Sequence, residues 1–457
     1  MNTASIAASF AVLAGLLTST SALAATYQVT TTADDLDPAL CDDTAASRCS
    51  LRTAIDLANQ TAEHDDIIVP PGLYVLDNDG EGTIEIHTPM AIIGQAAGRT
   101  VIEPSMPLQA GFFISGEETE VRFESLSFEG GSEPQHGLLQ AFGAGSLYLL
   151  DVDVLDFDFD ETLVAAQGTN LQLHGVTFAG NTTDESAEPM VWTTGHLLAE
   201  RLVLADNVME GEGSSVVDAS GGMARLRHIE IRDNSSDSFI VQLRSHFHVE
   251  GLYFHDNASE DGGLAVGHSN GGVIEQSTFA SNTAKEGAAL LVVEPEVNYV
   301  TTEVENSTFF GNEGVRGSAI AAAGMVQGRH LTIADNDSEF GVIYGIAGVA
   351  TKIELEASVV AGKSAAPVCG GVPLGSNGYN LFEDASCPAS ALDIVEQPAG
   401  LDDQLTYGNF TPTVQPRGKS PLLDAVPTSA LQADQRGRSR VAGAADIGAV
   451  ECGAHGC

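Results

Sequence analysis

Five closely spaced aspartates are the side chains of this sequence best suited to acid–base chemistry. They are Asp151, Asp153, Asp156, Asp158 and Asp160. Glycoside hydrolysis uses two carboxyl groups that flank the scissile bond, and a group of carboxylates can instead hold Ca²⁺. The favoured interpretation is a solvated acidic face, and Ca²⁺ binding and catalysis are the two alternatives.

Four histidines form a second candidate cluster. They are His246, His248, His255 and His268. A zinc site usually needs three or four ligands that converge on one point, whereas these residues occupy four different positions of the repeat that runs through this part of the chain. We therefore expect scattered surface histidines. We assign no catalytic, cofactor-binding or metal-binding residue, and Ca²⁺ is the only cofactor whose binding we leave undecided.

An acidic loop near the N-terminus is a further place where a cation could bind. Its aspartates are Asp34, Asp35, Asp37, Asp42 and Asp43. They lack the regular spacing of an EF-hand loop, so a solvated loop is favoured over a Ca²⁺ site.

Six cysteines allow fifteen pairings, of which two pairs are expected in an exported chain. These are Cys41 with Cys49 and Cys369 with Cys387. Cys452 and Cys457 are left to pair with each other or with another chain.

The elements that position these side chains are copies of a repeat between Val121 and Lys363. Two clear copies read Leu-His-Gly-Val-Thr-Phe-Ala-Gly-Asn (173–181) and Val-Glu-Asn-Ser-Thr-Phe-Phe-Gly-Asn (304–312). The copies close at positions 131, 157, 181, 207, 234, 257, 282, 312, 336 and 363, so the interval averages about 26 residues. A period of this length is typical of a stacked solenoid.

Each copy alternates apolar and polar residues, which predicts a short β-strand with one buried face. The residue three before the closing position is always large and apolar, and stacked copies would align these side chains into a ladder. The closing residue is Asn in seven consecutive copies from Asn181 to Asn336. Asn tolerates a left-handed bend, and its amide can bond from coil to coil, so we predict a structural row rather than a ligand-binding one.

Composition and the N-terminus indicate where the protein acts. The 457 residues include 63 Asp and Glu against 19 Lys and Arg, a formal charge of −44, which disfavours nucleic acid and anionic membranes as partners. Residues 1–24 predict a secretory signal, because an apolar run precedes the small-residue cleavage site Ala22-Leu23-Ala24. No later apolar run is long enough to span a membrane, so a secreted, extracellular protein is expected.

Three features of the sequence resemble known families. The segment Cys49-Ser50-Leu51-Arg52-Thr53-Ala54 predicts a helix that begins after the N-cap Ser50 and covers the first coil, and it resembles the CSLREA domain of secreted bacterial β-helix proteins. A Ser-Pro segment ending at Asp424, then Asp-Gln-Arg-Gly (434–437) and Asp-Ile-Gly-Ala-Val-Glu (446–451), resemble the choice-of-anchor Q family in order and type. The Phe-x-x-Asn copies are similar to repeats of polymorphic outer-membrane proteins.

The resemblance implies an all-β, right-handed single-stranded parallel β-helix of the pectate-lyase type. We expect a signal peptide at 1–24, a strand, acidic disulfide loop and capping helix at 25–66, the β-helix at 67–368, and an irregular disulfide-bearing cap at 369–457. The Asn-Thr-Asp, Gly-His-Gly and Arg-Ile-Lys sets of polygalacturonases and the Arg-x-Pro-x-x-Arg pattern of pectate lyases are absent from the sequence.

The expected function is a secreted or surface-associated, adhesin-like binding or structural rod without catalysis, which contacts glycans, matrix or cells. The alternative is a polysaccharide lyase or glycoside hydrolase that acts on an extracellular polymer, and a calcium-stabilised structural protein is a third possibility. An enzyme predicts a cleft with converging carboxylates, or carboxylates beside Arg or Lys, whereas a binding rod predicts a broad face.

Overall fold

The protein is a parallel β-helix, in which each coil stacks on the one before it and successive strands pair in parallel register. The computed structural model describes residues 24–41, 47–77, 82–95, 99–105, 110–131, 134–183, 188–267, 271–293, 300–347, 351–363, 366–372, 374–408, 410–440, 443–453 and 457. The expected fold class is confirmed, including the short N-terminal helix and the irregular C-terminal region. Residues 1–23 of the expected signal, Asp42, Asp43 and His268 lie outside the described residues.

Face 1 is the sheet formed by the first strand of each coil. Along these strands, side chains that point outward alternate with side chains that point into the core. Its strands are Thr26–Gln28, Asp65–Val69, Met90–Gly94, Glu120–Glu124, Ser146–Leu150, Asn170–His174, Leu197–Glu200, Met223–Arg232, His246–His255, Gly272–Glu275, Thr301–Glu305, Met325–Arg329, Lys352–Glu356 and Leu374–Gly378. Two of these strands are long enough to continue around the bend into the next face.

Face 2 follows Face 1 after a bend and carries the large apolar column of the repeat. Its separate strands are Gly72–Leu76, Thr100–Pro104, Ser127–Glu129, Asp153–Leu155, Thr177–Ala179, Val203–Ala205, Thr278–Ala280, Thr308–Phe310, Thr332–Ser338, Val359–Gly362, Leu381–Phe382 and Ile394–Val395. The long strands contribute Glu230–Arg232 and Tyr253–His255 to this face. The pairing thus extends beyond residues 67–368 at both ends, from the N-terminal strand Thr26–Gln28 to Ile394–Val395.

The coil closes through a short ladder and then a third sheet. The short strands are Asp158–Phe159, Thr182–Thr183, Val208–Met209, Ser235–Ser236, Ala258–Ser259, Thr283–Glu286 and Glu313–Arg316. Face 3 consists of Ile84–Ile86, Phe112–Ser115, Leu139–Phe142, Val164–Gln167, Pro189–Thr193, Ser215–Ala219, Phe239–Leu243, Gly262–Val266, Leu290–Val292, Ile320–Ala322, Ile343–Gly345 and Cys369–Gly371. The inward side chains of the three faces form one continuous apolar core.

The closing asparagines form a ladder inside the core. Six amide bonds of 2.8–3.0 Å connect the seven residues from Asn181 to Asn336, each running from Nδ2 to the Oδ1 of the next coil. All seven side chains are buried. The predicted coil-to-coil bonding is therefore confirmed.

Two left-handed bends frame the Face 2 strand of a coil. Asp151, Arg201 and His228 occupy the first bend with φ of 50°, 56° and 54°, and residues such as Asp206 and Asp256 occupy the second, directly before the closing Asn. The prediction that the Asn itself adopts this conformation is wrong by one residue. The preceding residue makes the turn, and the Asn side chain is thereby directed into the core ladder.

The helix Leu51–Ala58 packs against the first coil. Leu51, Ala54, Ile55 and Ala58 are buried, and the N-cap Ser50 accepts a hydrogen bond from the Thr53 amide at 3.1 Å. A short 3₁₀ helix, Pro38–Leu40, lies in the preceding loop. The predicted capping helix and its N-cap are confirmed. None of the helices in the described part of the chain is long and apolar enough to cross a membrane.

All six cysteines are paired. The disulfides are Cys41–Cys49, Cys369–Cys387 and Cys452–Cys457. The two predicted pairs are thus confirmed, and the alternatives left open for the last two cysteines resolve to a bond within this chain.

The C-terminal segment folds back along Face 2 as a strap, defined here as residues 397–453 apart from 409 and 441–442. Threonines of three successive coils bond it: Ala449 N donates to Thr332 Oγ1 at 2.9 Å, Thr308 Oγ1 donates to Gln435 Oε1 at 2.6 Å, and Thr278 Oγ1 donates to Pro412 O at 2.5 Å. A second apolar cluster joins the strap to the coils and includes Leu381 of a coil with Leu422 and Ile447 of the strap. The strap therefore shields the outer surface of the later coils.

Candidate functional site

A groove with a volume of about 560 Å³ crosses the outward side of Face 1. Four neighbouring strands form it: Ser146–Leu150, Asn170–His174, Leu197–Glu200 and the start of Met223–Arg232. The outward side chains that line it are Tyr148, Leu150, Gln172, His174, Leu198, Glu200, Arg225 and Arg227. We call this depression the Face 1 groove.

Parallel register arranges the lining residues in two columns. One column runs Tyr148, Gln172, Leu198 and Arg225, and the other runs Leu150, His174, Glu200 and Arg227. Because stacked strands lie ~4.8 Å apart, four coils span roughly 14 Å. The groove thus offers an extended ligand a surface on which each column combines apolar side chains with polar or charged ones.

His174 is held at the edge of the groove by two charged neighbours. Its Nε2 lies 2.8 Å from Arg201 Nη2, and its Nδ1 lies 3.4 Å from Glu200 Oε2. A guanidinium can only donate, so Nε2 accepts and the ring proton sits on Nδ1, facing the carboxylate. Arg201 also lies 3.5 Å from Asp151, which links that aspartate to the groove across the first bend.

The two arginines of the groove differ in their availability. Arg227 Nε lies 3.4 Å from Glu250 Oε2. Arg225 is exposed, and its guanidinium has no hydrogen-bond or ion-pair partner among the residues that the structure describes. Arg225 is therefore the cation of the groove that can receive an oxygen of a ligand without giving up a protein contact.

The acidic segment predicted from the sequence stays at the surface. Val152 and Val154 are buried, as expected, and Asp153 is in register with Ser127 and Thr177. Asp160 contacts His136 at 2.6 Å rather than another member of the segment. Only Asp151 approaches the groove, through Arg201, so the structure does not bring the five aspartates together.

The histidines are likewise dispersed. His248 Nε2 contacts Glu275 at 2.7 Å on Face 1, and His255 Nδ1 contacts Asp256 at 2.7 Å on Face 2. Among the described residues, no group of three or more His, Cys, Asp or Glu side chains is arranged to hold a metal ion.

In the acidic N-terminal loop, the described aspartates have other partners. Arg52 makes a bidentate pair with Asp34, with both distances 2.7 Å, and both side chains are buried. Asp37 caps the 3₁₀ helix by accepting from Ala39 N at 3.0 Å.

Carboxylates beside an arginine do occur further along Face 1. Arg329 Nη2 lies 2.6 Å from Glu303 Oε2, and its Nε lies 2.8 Å from Glu305 Oε1. Because both carboxylates are engaged by the same guanidinium, this cluster forms a closed ion pair rather than an open acid–base site.

Sequence reasoning missed the groove, although one signal was available. Position minus seven of the repeat carries charged or imidazole side chains in most copies, including His174, Glu200, Arg227, Glu250 and Glu275. This column flanks an apolar column, and the alternation rule alone places it on the outside.

Comparisons with known proteins give information on the fold of this chain alone. No family model matches this chain, and no curated protein matches it. Among solved structures, the chain is similar to the catalytic unit of a thermostable GH87 α-1,3-glucanase from Streptomyces thermodiastaticus, at 12% identity over 75% of this chain and 66% of that chain, with a TM-score of 0.41. This chain therefore spans slightly less than two thirds of that structure.

Two further solved structures are similar over longer stretches. Pectate lyase Pel9A matches at 15% identity over 94% of this chain and 97% of its own, with a TM-score of 0.39. The PL6 family alginate lyase AlyGC matches at 13% identity over 87% of this chain and 57% of its own, with a TM-score of 0.39. What this chain shares with these structures is the parallel β-helix.

Proposed function

We propose that this protein is a secreted or surface-associated β-helix that binds an extracellular polysaccharide in the Face 1 groove. The groove itself carries the proposal, because it combines the Tyr148 ring, the apolar Leu150 and Leu198, and the free Arg225 over four coils. A sugar polymer presents apolar ring faces and hydroxyl or carboxylate oxygens together. Aromatic side chains with a polar end and unpaired guanidinium groups suit those two kinds of surface.

We further propose that the chain is of the CSLREA and choice-of-anchor Q type. The roles of the motif residues support this. Ser50 caps the helix that packs on the first coil, and the C-terminal motifs supply Asp434 and Glu451, which hold the strap together. The first motif thus serves the cap of the first coil, and the C-terminal motifs serve the strap.

A lyase is the second candidate, and the arrangement around His174 favours it over a hydrolase. Elimination requires a base for the ring proton, a cation beside the sugar carboxylate and an acid for the leaving oxygen. His174, Arg225 and Tyr148 line one groove, whereas Glu200 is the only carboxylate among the described residues that line it. Binding remains the first proposal because His174 Nε2 already accepts from Arg201 and would have to lose that bond to act as a base.

The test is a titration of the mature protein with polygalacturonate, alginate and a neutral β-glucan, followed by calorimetry. We expect binding of at least one polymer, and we expect Arg225→Ala to weaken it about tenfold, the effect of losing about 1.4 kcal/mol. The matched control is Arg48→Ala, at an exposed arginine near the N-terminal cap. Failure of all three polymers to bind, or equal binding by the Arg225 variant, would contradict the proposal.

The same samples test for catalysis. A lyase produces unsaturated ends that absorb ultraviolet light, and a hydrolase produces new reducing ends without them. Unsaturated product from the wild type that disappears in His174→Ala would establish the lyase; binding without product would leave the protein as a non-catalytic binder.

A further inference from the structure

Two side chains near the start of the strap, Tyr407 and Phe410, contribute to a group of aromatic rings on Face 2. Tyr253 stacks on His255 with ring centroids 3.8 Å apart and planes 21° apart. Tyr407 of the strap lies edge-on to Tyr253 at 6.4 Å, and the two phenol oxygens are 3.2 Å apart. Phe410 of the strap lies 5.0 Å from the ring of His228. The coils of the β-helix and the strap thus form one aromatic surface together. It consists of His228, Tyr253, His255, Tyr407 and Phe410.

The two strap rings are open to solvent, and the ring on which Tyr253 stacks is held in place. Tyr407 is 70% exposed and Phe410 is 47% exposed. His255, on which Tyr253 stacks, lies between Asp256 at 2.7 Å and Glu230 at 3.4 Å. Large aromatic side chains that stay exposed on a fixed support mark interaction sites more often than isolated surface residues do.

The aromatic surface continues directly from the Face 1 groove. Arg227 lines the groove, and the next residue, His228, makes the first bend and contacts Phe410. Consecutive Cα atoms are ~3.8 Å apart, so a chain lying in the groove reaches the rings by crossing one bend.

We propose that Tyr253, Tyr407 and Phe410, together with His228, form a second carbohydrate subsite that stacks against a sugar ring of the polymer held in the groove. This proposal rests on the proposed polysaccharide-binding function and extends it. A pyranose has an apolar C–H face and a rim of hydroxyl groups. The rings match the face, and the Tyr hydroxyls with Glu230 and Arg232 beside them match the rim.

An apolar peptide fits this surface less well. Glu230 and Arg232 pair with each other at 3.5 Å, and Arg232 also contacts Asp233 at 2.9 Å. A peptide without polar groups would cover these charged side chains without replacing their water, whereas sugar hydroxyls can bond them.

The test compares hexasaccharides with disaccharides of galacturonate, mannuronate and β-1,4-linked glucose by calorimetry. The platform variant is Tyr407→Ala with Phe410→Ala, and the matched control is Phe340→Ala, at a phenylalanine that is 49% exposed elsewhere on the molecule. We expect the platform variant to bind a hexasaccharide about tenfold more weakly, with no change for the control. Tyr407→Phe should retain most of the binding, because the ring is kept.

The outcomes separate the two proposals. If Arg225→Ala weakens hexasaccharide binding and the platform variant binds as the wild type does, polysaccharide binding in the groove is supported and the aromatic subsite is overturned. If no hexasaccharide binds to the wild type, both proposals fall. Thermal melting of each variant confirms that the strap is still folded. If the double variant is unfolded, Tyr407→Ala alone decides the case: weaker hexasaccharide binding than in Tyr407→Phe supports the subsite, and equal binding overturns it.

Discussion

Each asparagine inside the ladder uses its full hydrogen-bonding capacity. Nδ2 of Asn257 donates to Ile231 O at 2.9 Å and to Asn282 Oδ1 at 3.0 Å. Its Oδ1 accepts from the backbone amide of Asn234 at 3.1 Å and from its Nδ2 at 3.0 Å. A buried amide with two donors and two acceptor positions is thereby satisfied, which explains why Asn and no other residue recurs at this position in seven coils.

Asn257→Ala should therefore destabilise the protein strongly. The change removes four buried hydrogen bonds, two of them to Asn234 and one to Ile231 O, so we expect a loss of about 2–4 kcal/mol in the free energy of unfolding. Urea denaturation followed by circular dichroism measures it. Asn377→Ala, at an exposed asparagine, is the control and should change stability by less than about 0.5 kcal/mol. Similar effects at the two sites would contradict the role given to the ladder.

His330 is a buried histidine that stays neutral in the folded protein. It is 3% exposed, and its Nε2 lies 2.8 Å from Ser429 Oγ of the strap. Burial, with the positive charge of Arg440 adding to it, lowers the pKa of His330 to about 3. An unfolded histidine has a pKa of about 6.5. Below that pH the unfolded chain binds a proton that the folded chain does not, so stability is complete above pH ~6.5 and falls as the pH is lowered toward 3.

The expected slope is up to about 1.4 kcal/mol per pH unit, and it should be largely absent in His330→Gln. The interval from pH ~6.5 to ~5 is the informative one. Burial raises the pKa of Asp446 and of Glu451, so those groups favour the folded state as the pH falls further, with the opposite sign. Denaturation midpoints of wild type, His330→Gln and the exposed control His64→Gln measure the effect. Parallel pH profiles for wild type and His330→Gln would rule it out.

At the scale of elements, the strap is held by a buried polar network rather than by strand pairing. Arg440 donates to Glu451 at 2.9 Å and to Gly448 O at 2.7 Å, and it also reaches Asn306 Oδ1 of the β-helix at 3.2 Å. Asp434 accepts from the backbone amides of Arg438 and Glu451 at 2.7 and 2.8 Å. The network therefore connects both C-terminal motifs to each other and to a coil.

Arg440→Ala should release the strap. Removing one partner of a buried ion pair leaves the other uncompensated, at a cost of about 3–5 kcal/mol. We expect the region 397–453 to become sensitive to limited proteolysis while the coils stay resistant, which mass spectrometry of the fragments will show. Arg438→Ala is the control, because the Arg438 side chain is exposed and only its backbone joins the network. Equal protection of the strap in both variants would contradict the role given to Arg440.

The elements that could be predicted from the sequence are those governed by local periodicity. Alternation identified the strands, Ser50 identified the helix start, and the row of Asn identified the ladder. The strap could not be predicted, because Gln435 bonds Thr278 and Thr308 through separations in sequence that no local pattern records. The groove was missed for a different reason: Tyr148, His174 and Arg225 face outward, where packing imposes no rule on residue type.

For the whole molecule, the formal charge of −44 sets the electrostatics. Parallel register adds to it locally, since Glu250, Glu275 and Glu305 stand opposite one another on three successive coils. Arg227 and Arg329 lie at the two ends of this run, in register with Glu250 and Glu305, and pair with them, whereas Glu275 pairs with His248. Like charges directly opposite one another in a sheet destabilise it. Because 63 Asp and Glu stand against only 19 Lys and Arg, most carboxylates are screened by solvent and counter-ions rather than by ion pairs.

Salt should consequently stabilise this protein. The Debye length shortens from ~30 Å at 0.01 M to ~10 Å at 0.1 M ionic strength. Repulsion between carboxylates therefore acts across several stacked coils at the lower ionic strength and across about two at the higher one. We expect the melting temperature to rise by several degrees over this range in NaCl, as scanning calorimetry will show. A constant or falling melting temperature would mean that repulsion between coils does not limit stability.

Divalent cations distinguish screening from a specific site. Because no described group of three or more carboxylate, His or Cys side chains is arranged to hold a metal, we expect CaCl₂ and MgCl₂ at equal concentration to raise the melting temperature equally. Mg²⁺ demands compact octahedral coordination and releases its waters reluctantly, whereas Ca²⁺ accepts irregular carboxylate sets, so a site built from surface aspartates would favour Ca²⁺ clearly. An excess effect of Ca²⁺ that a chelator reverses would place calcium among the stabilising components of the β-helix. Equal effects of the two ions would assign the stabilisation to the charge of the whole molecule.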